Sequence, residues 1–399
     1  MAVDTPARIA VIGSGPVGLE AALYARYLGY SVDIYERART AEHLLQWSHV
    51  RLFTPWEMNV TTLGVAALRI QDQAWQPARA DELLTGRELY DRYVLPLAQS
   101  DLLSDSLQER IEVLGVSREG LLRGDFPGDD RRADVPFRIL LRDADGAERI
   151  EHADVVFDCS GTHGTPNSLG CCGLPAVGEL GCRELIEYGL PDVLGADRDR
   201  YAGKQTLVIG GGHAAATSID ALARLSAEDP ATRITWVTRR EAADGNGPIA
   251  EIADDPLAER AALAKKANLL AAQPSGPVEH VPSSYIESIS FDATTQKFSV
   301  EFGGRTVEHR EFDRVIANVG HRPDSRLFAE LQVVEQPDCG DDPTAPQRHP
   351  EPDFYVLGAK SFGRSPGFNL AIGREQIRRV FTILGDREGL DLYKTYPRP

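Results

Sequence analysis

Ile9-Ala10-Val11-Ile12 is a short apolar run that leads straight into Gly13-Ser14-Gly15-Pro16-Val17-Gly18. Such a run is typical of a strand buried on both faces of a parallel sheet. Helical spacing follows over Leu19 to Leu28, and then comes a second strand, Ser31-Val32-Asp33-Ile34-Tyr35, ending in Glu36. The three glycines have separate duties. Gly13 permits the tight turn, Gly15 lets a pyrophosphate approach bare backbone, and Gly18 lets the helix pack closely on the sheet. The helix N-terminus offers free N–H groups and partial positive charge to phosphates. Glu36, about 20 residues further on, is placed to accept hydrogen bonds from ribose hydroxyls. The unit reads as a dinucleotide site, with Gly13, Gly15, Gly18, Glu36 and the adjoining Arg37 as cofactor-binding residues.

The same unit returns at Gln205-Thr206-Leu207-Val208-Ile209, followed by Gly210-Gly211-Gly212-His213-Ala214-Ala215. Helix-spaced residues run to about Leu225, and Ile234-Thr235-Trp236-Val237 is the next strand. Ala215 stands at the third glycine position, which the pattern tolerates. No acid closes this strand. Thr238-Arg239-Arg240 takes its place, and guanidinium forks there would meet a ribose 2′-phosphate where a carboxylate would repel it. The bland alternative is a pair of solvated arginines. The expectation is NADPH, held by Gly210, Gly212, His213, Arg239 and Arg240.

Composition narrows the classes. The chain has 399 residues, 42% hydrophobic and 26% charged, with formal charge −17. These are the proportions of a globular enzyme of two or three domains. They exclude a disordered or collagenous chain, and the acidic balance argues against nucleic-acid binding. No apolar run approaches the ~20 residues of a bilayer span. The first strand starts near Arg8 with no signal peptide ahead of it, so a cytoplasmic, reduced protein is expected. None of the five cysteines, Cys159, Cys171, Cys172, Cys182 and Cys339, forms a CxxC pair, and no metal site is expected. The adjacent Cys171-Cys172 is more readily read as two small apolar residues than as a disulfide.

One unit ending in Glu and another ending in Arg resemble the two-dinucleotide-binding-domain flavoproteins, the superfamily of thioredoxin reductases and class B flavin-containing monooxygenases. Three weaker motifs support the resemblance across nearly the whole chain. Asp154 to Thr162 resembles the buried strand ending in "ATG" that leads out of the FAD domain. Asp313 to Pro323 is similar to the strand on which the chain re-enters it. Phe354 to Lys360, then Phe368 to Gln376, is similar to "YALGD" and the following helix, with Ala359 in place of the aspartate that would hold the ribityl chain.

The resemblance implies an α/β fold of two Rossmann-like dinucleotide-binding domains, with an NADPH domain inserted into a discontinuous FAD domain. The expected boundaries are 1–165 and 311–399 for the FAD domain, 166–199 for a linker, and 200–310 for the NADPH domain. It adds Gly358 and Asn369 to the cofactor set. It also implies that the flavin face is lined by the segment Leu44 to Trp56, so that Trp47, His49, Arg51 and Phe53 are the catalytic candidates. The plain alternative is packing for Trp47 and Phe53 and a surface ion pair for Arg51.

The implied activity is that of an FAD-containing, NADPH-dependent monooxygenase acting on a small molecule and O₂ through a flavin C4a-(hydro)peroxide. The monooxygenase linker motif FxGxxxHxxx(Y/F) lacks its histidine between Leu174 and Gly189. Two alternatives therefore stand beside it: a reductase passing electrons to a quinone, disulfide or protein, and a redox sensor without turnover. Missing CxxC counts against dithiol exchange. No membrane or nucleic-acid partner is expected, and a homodimer is left open.

Overall fold

The computed structural model describes residues 6–239, 247–334, 340, 342–345 and 349–395. The chain divides into two compact units, one made of Met1–Thr165 with Arg322–Pro399 and the other of Pro166–His321.

The first unit is built on a five-stranded sheet. Its strands, in spatial order, are Phe354–Val356, Val155–Asp158, Arg8–Ile12, Ser31–Glu36 and Leu107–Glu109, all parallel. The register pairs Ile9 with Val32 on one side and with Val155 on the other. Both faces are covered. Ile9 and Val11 pack with Leu19, Leu23, Val380 and Phe381, while Ala10 and Ile12 pack with Phe137, Ile139 and Leu141. Burial on both faces removes any reason for polar alternation, which is why this strand reads as an unbroken apolar run.

The helix Pro16–Tyr27 joins the first two strands. Pro16 stands at its first turn, where a missing N–H costs nothing. The helix Leu370–Leu384 is capped by Asn369, whose side chain accepts from the Ile372 N–H at 3.1 Å. A separate three-stranded antiparallel sheet follows, with strands Glu112–Arg118, Phe137–Arg142 and Glu148–Ala153.

The second unit has a four-stranded parallel sheet in the order Val278–Val281, Arg233–Val237, Gln205–Ile209, Arg314–Ala317. The helices His213–Glu228 and Ala258–Ala271 pack on it. A three-stranded antiparallel sheet, Ser284–Asp292, Lys297–Gly304 and His309–Phe312, completes the unit.

Two boundaries differ from expectation. The chain returns to the first unit at Arg322 and not at about 311. The reason is that Arg314–Ala317 pairs in register with Thr206–Ile209, so this strand belongs to the second unit's sheet. Residues 166–199 are also part of that unit instead of a separate linker. Glu187 pairs with Ile316: its N–H donates to the Val315 carbonyl at 3.0 Å, and its carbonyl accepts from Ala317 at 2.7 Å. Val177 bridges to Ser288 in the same way. Among the described residues no helix is long and apolar enough to cross a membrane.

Candidate functional site: two dinucleotide cradles

In the first unit the three glycines meet three different constraints. Gly13 has φ +98°, and a Cβ on it would lie 2.8 Å from the Cys159 carbonyl. A Cβ on Gly18 would collide with the Gly13 carbonyl. Gly15 differs from both. It has ordinary extended backbone (φ −68°, ψ 175°), and a Cβ there meets nothing within 4 Å. The open space lies at the N-terminus of Pro16–Tyr27, where free N–H groups favour an anion. This is the arrangement a pyrophosphate requires.

Glu36 sits 9% exposed at the end of its strand. One carboxylate oxygen accepts from the Ser14 N–H and Oγ, both at 3.0 Å, and the other accepts from the Ala38 N–H at 2.9 Å. Three donors thus fix its orientation beside the glycine turn. Arg37 is exposed. Its guanidinium lies 3.1 Å from His43 Nε2 and lies over Gly164, where a Cβ would displace it. Gly358 has φ +75° and faces Val17, and its N–H donates to Gln376 Oε1 at 3.0 Å. Asn369 spends its side-chain oxygen on the helix cap described above.

The four flavin-face candidates lie on one loop. Leu52 N–H donates to the Leu84 carbonyl at 2.8 Å, Gly86 N–H donates to the Val50 carbonyl at 3.0 Å, and Arg51 bridges to Thr85. Trp47 is half-buried, and its ring would lie 3.0 Å from a Cβ on Gly86. His49 and Arg51 are exposed and Phe53 is half-buried. These contacts tie the loop to residues 84–87.

Two polar clusters in this unit escape sequence reasoning. Lys360 Nζ donates to Asp158 Oδ2 at 2.6 Å and to Ser160 Oγ at 3.0 Å, with both charged side chains at most 1% exposed. It stands directly after Ala359, so the position next to the missing aspartate carries a buried cation whose charge Asp158 already balances. That adjacency to the Gly358 motif is the only sequence signal for it.

The other cluster lines a small cavity with Pro16, Val17, Asn59, Leu370 and Arg374. There Glu20 accepts from the Tyr93 hydroxyl and from Thr61 Oγ1 (2.8 Å). Burial raises the Glu20 carboxyl from 4.5 to about 7, with the two hydroxyl donors opposing the shift. Between those values the folded chain holds a proton that the unfolded chain has released. The stability contributed by neutral Glu20 is therefore full below pH 4.5 and is lost as pH rises through about 7. Glu20→Gln should remove about 3 kcal/mol of this pH dependence. Melting curves at pH 5 and pH 8 check it: the wild type should lose more stability over that interval than the variant, and parallel losses would show Glu20 ionised throughout.

In the second unit Gly210 has φ +141°, and a Cβ on it would collide with the Asn318 carbonyl. Gly212 is open, with nothing within 4 Å. Ala215 is fully buried in the unit's core. The Asn318 side chain is fixed by Ser218 Oγ at 2.8 Å and by the Gly189 carbonyl at 2.8 Å. The motif around Asn318 thus braces this glycine turn.

His213 begins the helix, half-buried; desolvation lowers its pKa, and nearby Arg260 adds to the effect. Arg260 forks onto Asp255 at 2.6 and 2.8 Å, another pair the sequence did not flag. Arg239 is exposed just beyond Thr238, whose hydroxyl lies 2.9 Å from His280 Nε2. Arg240 and Cys339 lie outside the described residues. Among the described residues no group of three or more His, Cys, Asp or Glu could hold a metal ion.

No family profile matches this chain, and no curated protein matches it in sequence. Solved structures do match. DfoA from Erwinia amylovora, a cadaverine monooxygenase of desferrioxamine biosynthesis bound to FAD, aligns with TM-score 0.67 at 14% identity over 99% of both chains. The bacillithiol disulfide reductase Bdr from Bacillus cereus aligns with TM-score 0.66 at 16% identity, over 96% of this chain and 99% of that one. A flavin-containing monooxygenase from Stenotrophomonas maltophilia aligns with TM-score 0.57 at 20% identity, over 94% and 98%. The chain shares its fold with these reductases and monooxygenases.

Proposed function

We propose that the chain is an FAD-containing, NADPH-dependent oxidoreductase that works as a class-B-like monooxygenase on a small molecule. The observation that carries this reading is the pair of glycine cradles, one closed by Glu36 and the other followed by Arg239. The FAD site fits its group. Gly15 leaves the pyrophosphate its space, the N-terminus of Pro16–Tyr27 supplies N–H donors, and Glu36 is pre-oriented for ribose hydroxyls. Lys360, neutralised by Asp158, holds the adjacent polypeptide in place without adding net charge. When bound, FAD supplies the hydride acceptance and the reaction with O₂. In the second unit Gly212 and the helix it caps would hold the NADPH pyrophosphate, and Arg239 would meet the 2′-phosphate.

Small-molecule oxygenation is favoured over dithiol exchange because the chain has no CxxC. Cys159 and Cys182 are buried, and burial pushes both thiols up, away from the reactive thiolate. The reductase remains the second reading, since one of the solved structures of this shape is a disulfide reductase.

The test supplies NADPH under air with a panel of amines, thioethers and ketones. Oxygen uptake matched by an oxidised product is expected. NADPH oxidation that proceeds only with a quinone or disulfide acceptor under anaerobiosis would move the assignment to the reductase. Arg239→Ala should raise the KM for NADPH about 10- to 150-fold, the equivalent of one charge-assisted hydrogen bond, and leave NADH little changed. Equal use of both nucleotides by the wild type would remove Arg239 from that role.

A further inference from the structure

Cys171 and Cys172 are free thiols and not a disulfide, as the sequence reading favoured. Both are exposed, and their sulfurs lie 3.2 Å apart. Adjacent residues usually splay their side chains to opposite sides. Here Cys172 adopts left-handed backbone (φ 57°, ψ 22°), which brings its thiol beside that of Cys171. Gly173 continues in the same region at φ +83°.

The loop is held in this shape by one carboxylate. Glu179, fully buried, accepts from the Leu169 N–H at 3.0 Å and the Ala176 N–H at 2.8 Å, so both ends of the loop are pinned to the same oxygen. The Tyr188 hydroxyl donates to its other oxygen at 2.8 Å. Within the loop, Leu174 N–H donates to the Cys171 carbonyl at 3.1 Å. A Cβ on Gly170 would lie 2.7 Å from the Leu174 carbonyl, so the turn is folded tightly on itself.

We infer that Cys171 and Cys172 form a preorganised dithiol that chelates a soft, pyramidal trivalent centre, of the class represented by trivalent arsenicals. The sulfur spacing selects this over two other fates. A disulfide usually needs Cα atoms about 4.4–6.8 Å apart, whereas neighbouring residues are held at about 3.8 Å. Closing the ring would also require the sulfurs to approach by more than about 1 Å. Chelation across one atom needs no such approach. An atom about 2.3 Å from each sulfur, a typical thiolate bond length, would subtend about 90° at the observed spacing. That angle suits a pyramidal trivalent centre. Tetrahedral zinc wants about 109° and four ligands, and among the described residues no group of three or more ligating side chains exists to supply them.

The face beside the loop suits an organic substituent. Leu174 and Val177 are 69% and 71% exposed. For an arsenoxide the step balances without redox change. Two S–H bonds and the As=O bond break, two As–S bonds form, and one water leaves. Because the geometry is already in place, the second sulfur adds as an intramolecular event.

The experiment uses phenylarsine oxide and the purified full-length protein, read by intact mass and by free-thiol titration. One phenylarsenic per chain is expected, with loss of two titratable thiols and release by a small dithiol but not by a monothiol. Cys171→Ser and Cys172→Ser should each abolish the adduct, with unchanged circular dichroism. Buried Cys182 is the control: Cys182→Ala should leave the adduct intact. An adduct that survives either serine variant would overturn the proposal. So would a pair that closes to a disulfide under air, seen as a loss of two hydrogen atoms in mass, with O₂ as the oxidant, before any arsenical is added.

Discussion

Valine in place of Gly15 is expected to leave a folded protein that no longer holds FAD. Substitution at this position separates binding from folding. At Gly13 and Gly18 a side chain would strike backbone carbonyls, so substitutions there damage the turn itself. At Gly15 the backbone is ordinary and a Cβ meets nothing within 4 Å. A valine therefore costs the polypeptide little and occupies only the space needed by the pyrophosphate. Wild-type protein should purify yellow with roughly one FAD per chain. The variant should be colourless, with the far-UV spectrum and melting behaviour of the FAD-stripped wild type. A yellow Gly15→Val protein with normal flavin content would place the dinucleotide elsewhere.

Removing the carboxylate of Glu351 is expected to be the most destabilising single change in the first unit. Glu351 is the carboxylate shared by two buried guanidiniums. Arg118 Nε donates to it at 2.9 Å and Arg132 Nη2 at 2.8 Å, with all three side chains at most 1% exposed. The Gln332 N–H adds a third donor at 3.0 Å. These partners hold the carboxyl below its ordinary range against the opposing effect of burial. Glu351→Ala would leave two buried guanidiniums without their shared carboxylate. Breaking a buried pair costs about 3–5 kcal/mol, a large part of the ~5–15 kcal/mol that keeps a typical protein folded. The variant should accumulate as insoluble chain or melt far below wild type. Glu351→Gln, which keeps the shape and the Gln332 hydrogen bond, should fall between them. Wild-type melting of the alanine variant would mean that the arginines find water or another anion.

These two sites also mark what sequence could and could not disclose. Gly15 was legible because its role is local: strand, turn, helix and acid fall within the span Ile9 to Glu36, and each residue type follows from the backbone's need. The second cradle was legible for the same reason. The Glu351 cluster was not, because Arg118 lies 233 residues away along the chain. Lys360 and Asp158, 202 residues apart, were hidden likewise. The misplaced return of the chain has a related cause. Arg314 to Ala317 is plainly a strand in its apolar pattern, but pattern does not say which sheet receives it. Its partner Thr206–Ile209 does. The loop from Trp47 to Phe53 is picked out by the family resemblance, and the contacts that fix it come from residues 84–87, more than thirty positions on.

The points at which the chain leaves and re-enters the first unit lie side by side. Arg322 N–H donates to the Thr165 carbonyl at 2.9 Å, so the first unit's two cut ends are already hydrogen-bonded neighbours. Just beyond them, Pro166 bridges to His321, and Asn167 N–H donates to the Gly320 carbonyl at 2.9 Å, so the second unit's own termini are zipped together as well. Each unit is therefore a closed circuit of chain. Residues 166–321 could therefore be excised and Thr165 joined to Arg322 through a short turn without rerouting any strand of the first unit.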